Sequence, residues 1–352
     1  MCFSPPVILK GVDMDDRLYM TRALDLSLSG LGRTFPNPIV GAVLLSASGE
    51  IIGEGFHAGE EHAEVRALMD CSARHNDPRG ATMYVTLEPC NHFGKTPPCT
   101  QALKNAGISR VVFALKDPNP LAQGGAMDLL EDGVEVSSAC MENEAKESNR
   151  SWLHKIETGR PFLIWKIAST LDGYSAALDG TSKWITSKES RASVQALRAE
   201  SDAILVGTGT ALADNPSLTP QGDDRRPIRI VVGTRSIPGS SNLHDSEAPT
   251  IFLKTRDLNA VVDALIDLEV NQVLIESGSE LGTSLLKANL VDEIHWYQAP
   301  TILGAGKKTI GDLNVATISQ RVDFDIMKVE RSGPDTLTVL RPKIKEKAEV
   351  KS

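Results

Sequence analysis

Two α/β domains in tandem are what the sequence predicts, and three features carry that reading. Segments with amphipathic-helix spacing alternate with short apolar runs along almost the whole chain. Gly159-Arg160-Pro161 interrupts the alternation near the middle, after a charged, helix-prone stretch at 141–158. The length, 352 residues, suits two domains of roughly 100–200 residues each. The predicted domains are therefore 1–158 and 159–352, the second ending in a polar, frayed tail at 343–352.

The first domain opens on a helix at 16–30, where Leu18, Met20, Ala23, Leu24, Leu26 and Leu28 fall at helical spacing. The apolar run 39–45 reads as a buried strand. Ser48-Gly49 supplies turn chemistry, and 51–56 returns as the second strand of a hairpin. A helix at 62–74, a strand at 82–87, a helix at 99–105 and a strand at 110–115 follow. Next come a helix at 126–132, stopped by Gly133, and a strand at 134–138. This order predicts a three-layer α/β domain around a mixed sheet. The second domain restarts with a strand at 162–167. A helix at 188–200 precedes a strand at 203–206, and strands fit 228–232 and 250–253. The helix 258–268 feeds the strand 272–275, another helix covers 281–288, and 293–298 is a strand. No internal repeat relates the halves, so the two domains differ.

Composition narrows the class. Hydrophobic residues make up 41% and charged residues 24%, the balance of a soluble globular protein. Lys and Arg total 37 against 46 Asp and Glu, and the net charge of −9 argues against a nucleic-acid partner. No apolar run approaches the roughly 18 residues of a membrane span, and the N-terminus lacks the pattern of a secretory signal. Five cysteines, Cys2, Cys71, Cys90, Cys99 and Cys140, are too few and odd in number for a disulfide framework. The expectation is a reduced, cytoplasmic protein.

Three of its residues form a candidate metal set. His62-Ala63-Glu64 opens one predicted helix, Pro89-Cys90 follows a strand, and Cys99 opens another helix. One His and two Cys fill three positions of a tetrahedral zinc and leave the fourth to water, the catalytic arrangement. Zinc lowers the pKa of such a water to about 7, and Glu64, two residues beyond the His, is placed to shuttle its protons without ligating the metal. Zinc base deaminases divide the labour in this way, with the signature H-x-E…P-C-x-x-C; here the second Cys comes nine positions after the first. The alternative is a closed structural zinc with His57, His75 or His92 as fourth ligand. Cys2, Cys71 and Cys140 have no metal-type context.

The segment TLEPCNHFGKTPPCT at 86–100, with HAEV at 62–65, NPIVGAV at 37–43 and DPNP at 117–120, closely resembles the bifunctional riboflavin-biosynthesis deaminase–reductases. The resemblance runs from about residue 16 to residue 342. It implies a cytidine-deaminase-like domain followed by a dihydrofolate-reductase-like domain. It puts the zinc ligands on His62, Cys90 and Cys99, one ion per chain, the proton donor on Glu64, and Asn37 near the substrate. The implied substrate is a diaminohydroxypyrimidine carrying a ribosylamino 5-phosphate, whose ring 2-amino group is replaced by oxygen.

In the second half no G-x-G-x-x-G follows the first strand. Gly207-Thr208-Gly209-Thr210 reads as a turn after a strand. Glu276-Ser277-Gly278-Ser279-Glu280-Leu281-Gly282 ends a strand and begins a helix, where backbone N–H groups can meet a phosphate; a bare strand-to-helix turn is the alternative. The resemblance continues at WKIASTLDG (165–173), GTSKWITS (180–187), LRAESDAILVGTGTALADNPSLT (197–219) and ESGSELG (276–282). It implies NADPH contacts at Ala168, Trp184, Thr210, Asp214 and the turn Gly278, Ser279, Glu280, Leu281, Gly282, Thr283 and Ser284. Substrate contacts are implied at Lys166, Ser182, Arg198, Leu218 and Glu276, with hydride transfer to the ribose C1′. Arg198 suits the phosphate. Gln221 stands where family members commonly carry a second phosphate-binding Arg, with Arg225 and Arg226 nearby; the loop 57–61 is about two residues short, and Gly124-Gly125 replaces a frequent Arg. Thr234, Arg235 and Ser236 follow the strand 228–232 and are placed to receive the 2′-phosphate of NADPH. Family members often pair through the reductase domain, so a homo-oligomer is expected. Two other readings stay open on the residues alone: a zinc deaminase of another nucleoside or base, and a zinc-stabilised binding protein with a degenerate second domain.

Overall fold

The computed structural model describes residues 14–93, 97–120 and 122–343; Cys2 and most of the predicted frayed tail, 344–352, lie outside the described residues. The chain divides into two compact units, Met1–Gly159 and Arg160–Ser352.

The first unit runs α1 (Met14–Ser27), β1 (Gly41–Leu45), β2 (Ile51–Phe56), α2 (Ala63–Ala73), β3 (Thr82–Leu87), α3 (Cys99–Asn105), β4 (Arg110–Leu115), α4 (Gly125–Glu131), β5 (Glu135–Ser137), α5 (Glu142–Ser148) and α6 (Arg150–Thr158). Its sheet has the order β2-β1-β3-β4-β5. The β1 pairings with β2 and β3 are antiparallel, whereas β3–β4 and β4–β5 are parallel, so the sheet is mixed as expected. Register puts α1 and α2 on opposite faces. A Cβ at Gly41 would lie 1.9 Å from the Ala23 carbonyl of α1, and one at Gly53 would lie 2.2 Å from the Ala67 carbonyl of α2. Leu44 pairs with Gly53, and Gly41 is an odd number of residues away, so the two glycines face opposite ways. Both layers close on the sheet only because neither position carries a side chain.

The predicted 141–158 helix is instead two helices meeting at Asn149. Buried Asn149 accepts from the Ile39 N–H and donates to the Ile39 carbonyl, both at 2.9 Å. That clamp holds the 37–40 loop at the head of β1. The first strand starts at Gly41, later than the predicted 39, because Ile39 is bound by this side chain and not by a neighbouring strand.

The second unit runs β6 (Phe162–Ser169), β7 (Tyr174–Ala176), α7 (Lys188–Ala199), β8 (Ala203–Gly207), α8 (Thr208–Asp214), β9 (Ile228–Val232), β10 (Thr250–Leu253), α9 (Leu258–Asp267), β11 (Gln272–Ile275), α10 (Ser279–Lys287), β12 (Glu293–Gln298), β13 (Lys307–Lys308), β14 (Phe324–Ser332) and β15 (Asp335–Pro342). The main sheet has the order β10-β9-β8-β11-β6-β12-β15-β14, and β13 pairs with β7. The first six strands are parallel, and β15 and β14 add antiparallel. Two predictions need correction. The residues after β8 form α8 directly, where a turn was expected. The hairpin β14–β15 was not predicted, because β14 is exposed along most of its length and so lacks a buried apolar face to read.

Candidate active sites

In the first unit β3 and the starts of two helices converge. His62 is the N-cap of α2, Cys99 is the first residue of α3, and Cys90 lies three residues beyond β3. The Nδ1 of His62 is 3.6 Å from the Cys90 sulfur and 3.2 Å from the Cys99 sulfur. A tetrahedral zinc with Zn–N near 2.0–2.1 Å and Zn–S near 2.3 Å has N···S edges of about 3.6 Å, so the donor set fits that ion. His62, Cys90 and Cys99 form the one such group among the described residues. The Cys99 thiol and backbone N–H donate to the Cys90 sulfur and hold it well below the usual thiol range, while this bond and burial push Cys99 up. A thiolate is the form that binds metal.

These groups border a cavity of about 560 Å³ whose lining includes Glu64, Asn37, His57, His92, Asp117 and Asn119. Glu64 is 4% exposed, and burial pushes its carboxyl above the usual carboxylate range. A carboxyl raised in this way holds its proton more tightly than an exposed one, in the direction that suits a general acid–base group. Burial, with the neighbouring His62, lowers His57 to about 4, so its ring is neutral. His57 Nε2 and His92 Nδ1 are buried with no hydrogen-bond partner. Both histidines were weighed in sequence only as rival zinc ligands; here they are cavity walls with free polar atoms. Trp152, Lys155 and Ile156 of α6 complete the wall. Nothing local in the sequence announced them, since they reach the cavity from more than fifty residues beyond the ligands.

In the second unit the carboxyl ends of the parallel strands gather the other candidates. The Glu276 carboxylate follows β11 and takes a two-pronged bond from Arg198 of α7, at 2.5 and 3.0 Å. Lys166 of β6 lies 3.6 Å away. Burial alone would raise the carboxyl, but Arg198 and then Lys166 hold it at about 2. The Arg198 fork, read in sequence as a phosphate ligand, is thus engaged by Glu276. At the head of α10 the Gly278 N–H donates to the Thr210 hydroxyl at 3.3 Å, and Gly278 brings no side-chain cap. A Cβ at Gly209 would lie 2.8 Å from the Arg235 guanidinium, and one at Gly278 would lie 3.6 Å from Lys307 Nζ. This turn with two cations fits a dinucleotide phosphate. Sequence reasoning missed Lys307, which is far along the chain.

The remaining predicted contacts scatter. Trp184 is exposed, with the Arg191 guanidinium 4.4 Å from its ring centroid. Leu218 is buried in the core. Gly282 lies against the Trp165 ring. The Thr283 hydroxyl accepts from Gly311, and that of Ser284 donates to the Glu280 carbonyl. Ala168 and Ser182 are half-buried, and Asn37, Asp214, Gln221 and Thr234 are exposed.

Comparison with known proteins brings both halves together. Residues 13–115 match the cytidine and deoxycytidylate deaminase zinc-binding region, and residues 161–338 match the RibD C-terminal domain. The riboflavin biosynthesis protein RibD of Mycobacterium tuberculosis is 42% identical over 329 residues, covering 91% of this chain and 96% of that one. The chain belongs to the RibD family. It is therefore an enzyme of riboflavin biosynthesis with two activities, a deaminase and a reductase. Solved RibD-type structures match most of the chain. A Thermotoga maritima diaminohydroxyphosphoribosylaminopyrimidine deaminase/5-amino-6-(5-phosphoribosylamino)uracil reductase superposes with a TM-score of 0.86 at 34% identity, covering 94% of this chain and 99% of that one. RibD from Acinetobacter baumannii gives 0.84 at 35% identity, with the same coverage. The first unit is thus cytidine-deaminase-like and the second has the dihydrofolate-reductase-like RibD fold. Among the described residues no helix is long and apolar enough to cross a membrane.

Proposed function

We propose that residues 1–158 hydrolytically remove the ring 2-amino group of 2,5-diamino-6-(5-phosphoribosylamino)pyrimidin-4-one, and that residues 159–352 reduce the ribosyl chain of the product to ribityl with NADPH. The observation that carries the first step is the buried Glu64 beside the His62, Cys90 and Cys99 donors in one cavity. A zinc ion held by those three residues supplies, when bound, an acidified water. Glu64 takes a proton from the attacking water at its carboxylate and passes it to the ring nitrogen. It then takes the proton of the new C2 hydroxyl and gives it to the amino group, which leaves as ammonia while the C2 oxygen becomes a carbonyl. His57 and His92 offer their unpartnered nitrogens to the polar edge of the ring, and Asn37 orients it at the mouth.

For the second step, NADPH supplies the hydride when bound. The Gly278–Gly282 turn and Thr210 receive its phosphates, Arg235 takes the 2′-phosphate, and Lys166 and Glu276 face the sugar. The test is an assay of the purified protein that follows ammonia release and NADPH oxidation separately. Chelation of zinc is expected to stop ammonia release and to leave oxidation of NADPH by the deaminated intermediate intact. Loss of both together would mean one shared site. Arg235→Ala should weaken NADPH about ten- to hundredfold, the worth of a charge-assisted bond, and NADH far less. Equal losses in cofactor titrations would remove Arg235 from the site.

The working form is a homo-oligomer in the cytoplasm. Ile326 and Val329, 66% and 59% exposed, lie on the edge strand β14, an open apolar edge of the kind proteins cover. Cys71, Cys90 and Cys99 are free thiols. A single-chain mass by light scattering would exclude the association.

A further inference from the structure

Glu88 is a buried acid in the deaminase cavity to which no step above gives a part. It is 4% exposed and lies just past the end of β3, two residues before the ligand Cys90. Its own N–H donates to the Leu115 carbonyl at 2.8 Å, which fixes its main chain against the end of β4. Its Oε2 accepts the Asp117 N–H at 3.4 Å and its Oε1 accepts the Ala126 N–H at 3.1 Å. No ion pair to Glu88 is formed among the described residues, so two peptide dipoles meet its charge. A carboxylate buried without a cation is a poor device for stability alone.

The two groups it holds bracket one wall of the cavity. Asp117, Asn119, Pro120 and Ala122 all line the same cavity as Glu64. Within the wall the Asp117 carboxylate accepts the Asn119 N–H at 2.8 Å, and the Asn119 carbonyl accepts the Ala122 N–H at 3.0 Å. The wall is therefore a compact piece whose two ends are tied to one side chain. On its far side Gly125 lies directly against the Pro89 carbonyl, so Pro89 and Glu88 grip the start of α4 together.

We propose that Glu88 is a positioning residue for deamination: its two carboxylate oxygens hold the wall formed by 117–120 and 122–126 at both ends and so set how the pyrimidine lies over Glu64. The proposal rests on the deaminase reading of this cavity. Glu88→Gln keeps the shape but turns an amide N–H₂ toward one of the two peptide donors. The Michaelis constant for ammonia release should rise about tenfold or more, with a smaller loss in kcat. Zinc content and NADPH oxidation should be unchanged. Amide exchange at Asp117 and Ala126 should speed up by at least a similar factor.

Loss of zinc would show that Glu88 supports the ligand loop and would overturn the proposal. An unchanged Michaelis constant with exchange as slow as in the parent protein would overturn it equally. Should the variant fail to fold, exchange in the unmodified protein decides: the Asp117 and Ala126 amides should exchange as slowly as those of β4, and fast exchange refutes the clamp. A parent protein that releases no ammonia would refute the deaminase reading instead, with the exchange result still standing for or against the clamp.

Discussion

Glu64→Gln should lower ammonia release by about 10²–10⁴-fold, the usual range for a lost general acid–base group, while zinc stays bound. The side chain is almost the same size, and the His62, Cys90 and Cys99 donors form the metal group without it. What disappears is a carboxyl whose burial raises its proton affinity and which can both take and give the proton. Metal analysis together with the ammonia assay separates the outcomes. Zinc lost along with activity would make Glu64 a ligand or a support. A fall of less than tenfold would pass the proton work to another group lining the cavity, such as His57, whose ring centroid is 5.3 Å from that of His62. NADPH oxidation should not change, because Glu64 belongs to the other unit.

Glu276→Gln is expected to be the most damaging single change in the reductase unit. It leaves the Arg198 guanidinium and the Lys166 ammonium facing a neutral amide, with Arg198 only 14% exposed. Removing one partner of a buried ion pair typically costs about 3–5 kcal/mol. The lower end applies here, because Lys166 is 21% exposed and water can reach part of the cluster. The sign of the pH dependence follows from the carboxyl, which is held at about 2 against an ordinary 4.5. The stabilisation is present above pH 4.5 and is lost as pH falls toward 2, because the protonated acid can no longer pair. The variant should lack that acid-sensitive component. Denaturant unfolding read by amide exchange in β6 and β11 measures the effect in this unit alone. Adding Arg198→Met to Glu276→Gln should recover part of the loss. A double variant as unstable as the sum of its parts would show that the two side chains do not work as a pair.

Much of this molecule was legible in its sequence where local chemistry and burial coincide. Strands 82–87, 110–115 and 228–232 fall where their apolar runs begin and end, because each is buried along most of its length. The metal set was legible because His62-x-Glu64 and Pro89-Cys90 stand in order in the sequence and His62 and Cys99 lie at helix starts. What escaped depends on residues far apart in sequence. Lys307 reaches the α10 turn from β13, the α6 side chains reach the zinc cavity from beyond residue 150, and Arg198 is met by a carboxylate 78 residues away. The β14–β15 hairpin escaped because backbone pairing, not a hydrophobic period, defines it.

The Asn149 clamp bears on where the chain can be cut. Because that side chain binds both backbone groups of Ile39, the helices on either side of it are part of the deaminase body and cannot be treated as a spacer. A deaminase fragment trimmed at residue 141 would leave the Ile39 N–H and carbonyl unsatisfied in a buried strand entrance. It would also strip Trp152, Lys155 and Ile156 from the cavity wall. Asp at position 149 could accept but not donate, so only half of the clamp would survive. Splitting or shuffling the two catalytic bodies of this enzyme is therefore best done at Gly159, where the second helix has ended and its last turn is closed.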